Sequence, residues 1–197
     1  MREEGMRFWL GVFAIVMVGG LLLASPLEAQ QAPVIMKGSV QKVEGGVLTI
    51  STDAGPVQVT LSREFRISLW VPINFSEVKV GDFVGVTAMG APGTTLTASE
   101  VHVFPEAMRG TGEGQRPSIE GSLMTNATIG EIAKEPEGRL LTLTYKGKTA
   151  KILVPEKAMV TRVASGKPED LQPGRQVFLF GVREGGQTKY MRMNILP

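Results

Sequence analysis

One strand pattern occurs twice in this chain, at a separation of 93 residues. Residues 47–50 (Val-Leu-Thr-Ile) align with residues 140–143 (Leu-Leu-Thr-Leu), and residues 57–61 align with residues 150–154 at the same offset. Self-similarity at a fixed offset is the sequence signature of a duplicated structural unit. We therefore expect two copies of one module, and the fold has to accommodate both.

Short segments in which apolar and polar residues alternate fill both copies. Residues 57–61 (Val-Gln-Val-Thr-Leu) are typical, and Gly, Pro, Asp or Ser residues bound such segments. A period of two indicates half-buried β-strands, and the bounding residues supply the backbone angles that tight turns need. The sequence therefore predicts an all-β protein rich in hairpins.

Each copy has room for five short strands, which usually close into a small barrel because closure removes exposed sheet edges. We predict two tandem OB-like five-stranded β-barrels, at residues 34–104 and 126–196, joined by a Gly-rich segment at residues 105–125. A β-sandwich is the alternative. In the stretches 62–80 and 155–173 the sequence predicts irregular structure with at most a short turn of helix.

The N-terminus has the layout of a secretory signal peptide. Basic residues precede an uninterrupted apolar run at residues 8–24, and the small residue Ala29 comes before Gln30. This layout predicts a signal-peptide helix within residues 1–29, cleavage between Ala29 and Gln30, and a periplasmic or secreted product. The alternative is an inner-membrane anchor formed by residues 8–24, since the run approaches the length of a membrane span.

Four motifs of the first copy follow one another in a recognisable order. They are a Gly-x-Val start at residues 38–40, an apolar-Leu-Thr-apolar strand at 47–50, an acid-apolar-Lys-Val-Gly-Asp turn at 77–82 and a Leu-Thr-Ala-x-x-Val strand at 96–101. In these motifs the chain resembles exported bacterial proteins built from OB-like β-barrel modules of unknown function. Residues 104–114 are similar to the joining segment of two-module members. The resemblance implies the barrel fold and export, and it supplies no catalytic residues.

Composition excludes several kinds of chemistry. The chain has no cysteine and one histidine, which excludes disulfides, thiolate catalysis, Cys-ligated metal centres and multi-histidine metal sites. With 21 Lys and Arg residues against 19 Asp and Glu residues, the excess of positive charge is too small to indicate nucleic-acid binding. We expect no enzyme activity, no cofactor and no metal centre. Membrane contact is expected only through the leader, in case it is not cleaved.

The joining segment is the strongest candidate for a ligand site. Gly110, Gly112 and Gly114 lie between Arg109 and Arg116. Successive glycine N–H groups can cup an anion, and two guanidinium groups can hold one through bidentate hydrogen bonds. The simpler interpretation is a flexible linker, in which the glycines only permit unusual backbone angles, and the binding loop is the alternative to it.

Three other features offer weaker candidates. Trp70 is a candidate for stacking on a sugar or base at the surface. His102 is expected to face solvent, with Glu100 on the same strand face, and no third metal ligand is identifiable. Met191 and Met193 share one face of a predicted strand, where core packing is the simpler interpretation and Cu(I) binding the alternative.

These features favour an exported, non-catalytic binding or assembly module, whose partner is another exported or envelope protein or a small ligand. The alternative is a periplasmic carrier of a small ligand, an anion or a metal that uses the joining segment. An ordered joining segment that lines a pocket would favour the carrier. An exposed, mobile segment would favour the assembly module.

The leader generates the first prediction. We expect the protein recovered from the exported fraction to begin at or near Gln30, because residues 8–24 and the small residue Ala29 form a processing signal. Intact-mass measurement checks this. A mass that retains residues 1–29 would contradict cleavage and would support the membrane anchor.

Overall fold

The computed structural model describes residues 34–197, and the predicted leader lies outside this range. Thirteen β-strands account for most of the described residues. They are β1 (Val34–Glu44), β2 (Val47–Thr52), β3 (Gly55–Thr60), β4 (Arg66–Pro72), β5 (Phe83–Met89), β6 (Leu96–Val103), β7 (Gly114–Pro117), β8 (Leu123–Glu135), β9 (Gly138–Tyr145), β10 (Lys148–Pro155), β11 (Met159–Ser165), β12 (Gln176–Glu184) and β13 (Gln187–Ile195). The prediction of an all-β protein is confirmed.

The only helical elements within residues 34–197 are four single turns of 3₁₀ helix. They lie at Phe75–Glu77, Glu106–Met108, Ile119–Gly121 and Pro168–Asp170. The first and last of these are the short helical turns expected in the stretches 62–80 and 155–173. No helix of the described chain combines the length and the apolar character needed to cross a bilayer.

Five strands form a closed barrel. Antiparallel pairing joins β9 to β8 and β10, and β5 to β6 and β8, while the parallel pairing of β10 with β6 completes the ring. In the closing pair Ile152 lies opposite Leu96 and Leu153 lies opposite Thr97. The interior holds a buried apolar cluster that includes Val84, Val86, Leu96, Val101, Ala127, Ile129, Leu141, Leu143, Ile152 and Val154.

Six further strands form a second strand group with its own core. The strands pair in the order β3–β2–β1–β12–β13, and β4 lies parallel to β13 on its other side. Within the described sheet β3 ends this path, because its one hydrogen-bonded neighbour is β2. The core of the group consists of Val40, Leu48, Ile50, Val59, Leu171, Val177, Leu179, Met193 and Ile195.

Each strand group takes strands from both sides of the joining segment. The closed barrel combines β5 and β6 with β8, β9 and β10, and the second strand group combines β1 to β4 with β12 and β13. In the alignment at 93 residues, the last two strands of each predicted copy therefore pair in the group that contains the first three strands of the other. Hydrogen-bonded pairing therefore crosses between the ranges 34–104 and 126–196, which had been expected to close separately. All described residues belong to one compact unit.

Strands β4 and β11, which the sequence analysis did not predict, connect the two groups. They pair with each other in antiparallel fashion, with Ser68 opposite Ser165 and Thr161 opposite Pro72. Strand β11 also runs parallel to β6, and β4 runs parallel to β13. One sheet therefore continues from the closed barrel into the second strand group.

Because strands are exchanged, neither core can form until both copies are in place. We predict one cooperative thermal transition, with a calorimetric enthalpy equal to the van 't Hoff enthalpy. Leu48→Ala and Leu141→Ala form a matched pair, since the two leucines occupy aligned positions and both are fully buried. Each substitution should cost about 2–5 kcal/mol and lower the same single midpoint. The prediction is contradicted if two separate thermal transitions appear and each variant lowers the midpoint of only one of them.

Candidate functional site

The joining segment is built into the fold by its own backbone bonds. The N–H of Met108 donates to the carbonyl of Pro105 at 2.8 Å, and the N–H of Thr111 donates to the carbonyl of Met108 at 3.0 Å. Residues 114–117 then form β7, which pairs antiparallel with β8. The segment therefore lies along the closed barrel, in contrast to the linker interpretation.

Arg109 fastens the joining segment to the barrel. Its guanidinium group forms a bidentate pair with Glu106, with Nη2 2.7 Å from Oε2, and Nη2 also donates to the carbonyl of Gly81 at 3.0 Å. The hydrogen bond from Arg109 lowers the pKa of Glu106 from its usual value. Arg109 is thus occupied by partners within the chain, and it positions the segment.

The joining segment and the β9–β10 hairpin enclose a cleft of about 390 Å³. We call it the basic cleft. It is lined by Gly112, Glu113, Gly114, Gln115, Arg116, Tyr145, Lys146 and Lys148. Three of the predicted site residues, Gly112, Gly114 and Arg116, therefore come together, while Arg109, Gly110 and Trp70 do not line this cleft.

Two turns shape the walls of the basic cleft. In the joining segment Gly112 has a φ of +59°, a left-handed conformation that glycine adopts without strain. In the hairpin turn Lys146 has a φ of +44°, the one positive φ of a non-glycine residue in the described chain. The backbone N–H of Lys146 donates to a carboxylate oxygen of Glu113 at 3.2 Å, so the two walls are bonded to each other.

The basic cleft carries an excess of positive charge. Arg116, Lys146 and Lys148 line it against one carboxylate, that of Glu113. Arg116 donates to the carbonyl of Gly112 at 2.9 Å, and none of the three cations belongs to an ion pair among the side chains that the structure describes. Nearby on β13, burial and, secondarily, the charge of Arg116 lower the pKa of Arg192 from its usual value. An anion in this region would meet uncompensated cations.

A second polar cluster lies around His102 on β6. His102 is only 3% exposed, so the prediction that it faces solvent is wrong. The ring of Trp70, on the unpredicted strand β4, stacks on it at a centroid distance of 3.9 Å. Trp70 is half-buried, and its ring contacts the His102 ring.

Hydrogen bonds on both ring nitrogens hold His102 in place. Nδ1 lies 2.7 Å from the Thr161 hydroxyl, and Nε2 lies 3.3 Å from Oε2 of Glu100. An ionised carboxylate can only accept, so Nε2–H donates to Glu100. The protonation state of the ring decides whether Nδ1 accepts from or donates to the Thr161 hydroxyl. The hydrogen bond from His102 lowers the pKa of Glu100, while burial opposes this shift.

The two methionines of β13 have separate environments. Met193 is completely buried in the core of the second strand group, as core packing predicts, whereas Met191 is 47% exposed. The register of β12 and β13 shifts between Phe180 and Gly181, and this bulge leaves Met191 without a paired residue. A bulge interrupts the alternation of faces on which the shared Cu(I) site depended. Within residues 34–197 no group of three or more His, Asp or Glu residues is placed to hold a metal ion.

Sequence reasoning missed Tyr145, Lys146 and Lys148. These residues lie in and beside a Lys-Gly hairpin turn, which on its own indicates only a reversal of the chain. They line the cleft only because they lie close to the joining segment in space. That segment lies about thirty residues earlier in the chain. The pairing of β7 with β8 and of β8 with β9 brings it next to them.

Comparisons with known proteins give no relative for this chain: no protein-family model, no curated protein and no solved structure matches it. The conclusions about function therefore come from the site itself.

The His102 cluster generates a prediction about pH. The pKa of Glu100 in the folded protein lies below its usual value of 4.5, so its ionised form stabilises the fold at neutral pH. Glu100→Gln should lower the free energy of unfolding at pH 7 by about 1–2 kcal/mol, as expected for a hydrogen bond to a charged group. The difference from the wild type should persist above pH 4.5 and shrink as the pH falls through the folded-state pKa.

Denaturant unfolding at several pH values measures this difference. Glu131→Gln, at an exposed position of β8, is the control, and it should change stability by less than about 0.5 kcal/mol. A Glu100→Gln effect that is equal at pH 7 and at pH 3 would contradict the role of the ionised carboxylate.

Proposed function

We propose that this chain is an exported, non-catalytic binding module that takes an anionic group in the basic cleft. The observation that carries the proposal is the convergence of Arg116, Lys146 and Lys148 on one cleft with a single carboxylate. The volume of about 390 Å³ suits a small ligand or one charged group of a larger partner, because ligand clefts usually measure roughly 300–1,000 Å³.

The position of the joining segment favours the anion carrier over the plain assembly module. The segment is bonded to the barrel through Arg109 and β7, and it lines the cleft with Gly112, Gly114 and Arg116. A wall that is already fixed before binding loses less conformational entropy when the ligand arrives. The anionic group belongs either to a small ligand or to another exported or envelope protein.

The burial of the His102 cluster supports a non-catalytic role. Glu100, His102 and Thr161 resemble an acid–histidine–hydroxyl set in their hydrogen bonds. However, Thr161 is fully buried and His102 is 3% exposed beneath Trp70. A nucleophile and a base must reach the substrate to act on it, so this set holds strands β6, β11 and β4 together.

The same proposal includes the architecture and the location. The closed barrel has the strand order expected of an OB-like module, a three-stranded meander whose third strand runs parallel to the last strand. We infer two such modules that exchange their last two strands, the second of them formed by β1, β2, β3, β12 and β13. Export rests on residues 8–24 and Ala29 alone.

Binding of simple anions tests the proposed function. We expect calorimetry to detect binding of inorganic phosphate or citrate that weakens as salt is added, because salt screens the attraction between charges. The double variant Arg116→Gln/Lys148→Gln should bind at least about tenfold more weakly, a loss of about 1.4 kcal/mol.

The control for this experiment is Lys151→Gln/Arg183→Gln. It removes the same two charges from exposed positions outside the cleft, one of them on the same strand as Lys148. Its affinity should equal that of the wild type. If the two double variants lose affinity equally, net charge and not the basic cleft is responsible, and the proposal fails. The proposed function is also contradicted if the wild type binds neither phosphate nor citrate.

A further inference from the structure

A second cleft, of about 340 Å³, lies at one end of the second strand group. We call it the apolar cleft. It is lined by Leu61, Ser62, Arg63, Phe65, Ile67, Gly166 and Pro168. Leu61, Phe65 and Ile67 are half-buried and pack against the core of the group, so the cleft has an apolar wall.

The aligned positions of the closed barrel are filled differently. At the offset of 93 residues, Gly166 aligns with Ile73 and Pro168 aligns with Phe75. Ile73 and Phe75 are half-buried and pack against the core of the closed barrel. The second strand group therefore has a glycine and a proline where the closed barrel has two large apolar side chains.

The local backbone keeps this end of the second strand group from being filled in the same way. A Cβ at Gly166 would lie 2.6 Å from Cγ2 of Ile67, and the N–H of Gly166 donates to the carbonyl of Ile67 at 2.9 Å. Gly166 is thus held directly against β4 and leaves no room for a side chain. Phe65 aligns with Ala158 of the closed barrel and forms an aromatic wall of the cleft. Pro168 lines the same cleft.

The side of the second strand group beside this cleft is also open. In the closed barrel the third strand of the meander, β10, pairs with β6 and shuts the seam between them. The aligned strand β3 pairs with β2 alone among the described strands, so no ladder joins it to β13. Residue 61, which lines the apolar cleft, comes directly after β3. The cleft therefore begins next to the end of β3, the strand that has no partner on its second edge among the described strands.

One charged side chain lines the apolar cleft. It is that of Arg63, which is exposed and forms no ion pair with any other side chain described in the structure. An apolar ligand with an anionic head would bury its chain against Leu61, Phe65 and Ile67 and place its head beside Arg63. Binding of the hydrocarbon chain is favourable because each CH₂ group that leaves water gains free energy.

We propose that the apolar cleft binds a single-chain amphiphile with an anionic head, such as a medium-chain fatty acid. The hydrocarbon chain lies between the end of β3 and Pro168, and the head pairs with Arg63. This site is separate from the basic cleft, whose lining residues it does not share. Its failure and the failure of the proposed function are therefore distinguishable.

Decanoate and 1-decanol are the probes, because they differ in the charged head and share the chain length. The wild type should bind decanoate saturably, as followed by displacement of a fluorescent fatty-acid analogue. Pro168→Phe introduces the ring that Phe75 supplies in the closed barrel, so it should weaken decanoate binding at least tenfold. Glu169→Phe places the same ring at the exposed neighbouring position, outside the cleft, and should leave binding unchanged.

Arg63→Gln tests the head group and is available even if Pro168→Phe lowers the melting temperature. Because Arg63 is exposed, the variant should fold normally, bind decanoate several-fold more weakly and bind 1-decanol as the wild type does. The proposal is overturned if decanoate shows no saturable binding, if a folded Pro168→Phe protein binds it like the wild type, or if Arg63→Gln leaves its affinity unchanged.

Discussion

The parallel pairing of β6 with both β10 and β11 is the interaction on which the rest of the structure depends. The end of β6 that contains Leu96 closes the barrel against β10, and its other end, from Glu100 to Val103, pairs with β11. Strand β6 lies in residues 34–104, and its two partners lie in residues 126–196. This single strand therefore joins the two halves of the described chain, and it places His102 next to Thr161.

Strand pairing also determines where the two clefts lie. The pairing of β7 with β8, and of β8 with β9, brings Arg116 to the same cleft as Lys146 and Lys148. At the second strand group the corresponding seam lacks a ladder between β3 and β13, and the apolar cleft lies at the end of that seam. One cleft is therefore cationic and the other apolar, although the two strand groups have similar strand patterns.

Much of the strand content could be predicted from the sequence, since alternation assigns faces of strands reliably. The pairing partners of the strands could not be predicted from the sequence. Alternation specifies which residues are buried, but it does not specify which strand lies beside them. When two copies present similar strands, pairing within a copy and pairing between copies satisfy the same pattern. His102 illustrates the consequence: the alternation correctly separates it from Val101 and Val103, but the face it occupies is covered by Trp70 of the unpredicted strand β4.

The candidate site was likewise half predictable. Glycine density between two arginines identified Gly112, Gly114 and Arg116, because that composition permits a backbone close to an anion. It could not show that Arg109 is paired with Glu106, since a positive side chain near a carboxylate is common in any loop. Lys146 and Lys148 reach the cleft through the long-range pairings of β8, which no local pattern records.

Backbone amide shifts recorded by NMR during a phosphate titration test most directly whether the joining segment and the β9–β10 hairpin form one anion site. We predict that the largest shifts fall together on residues 112–116 and residues 145–148, follow a single saturation curve, and disappear in Arg116→Gln/Lys148→Gln. Shifts confined to other parts of the chain, or saturation of the two segments at different phosphate concentrations, would contradict this account.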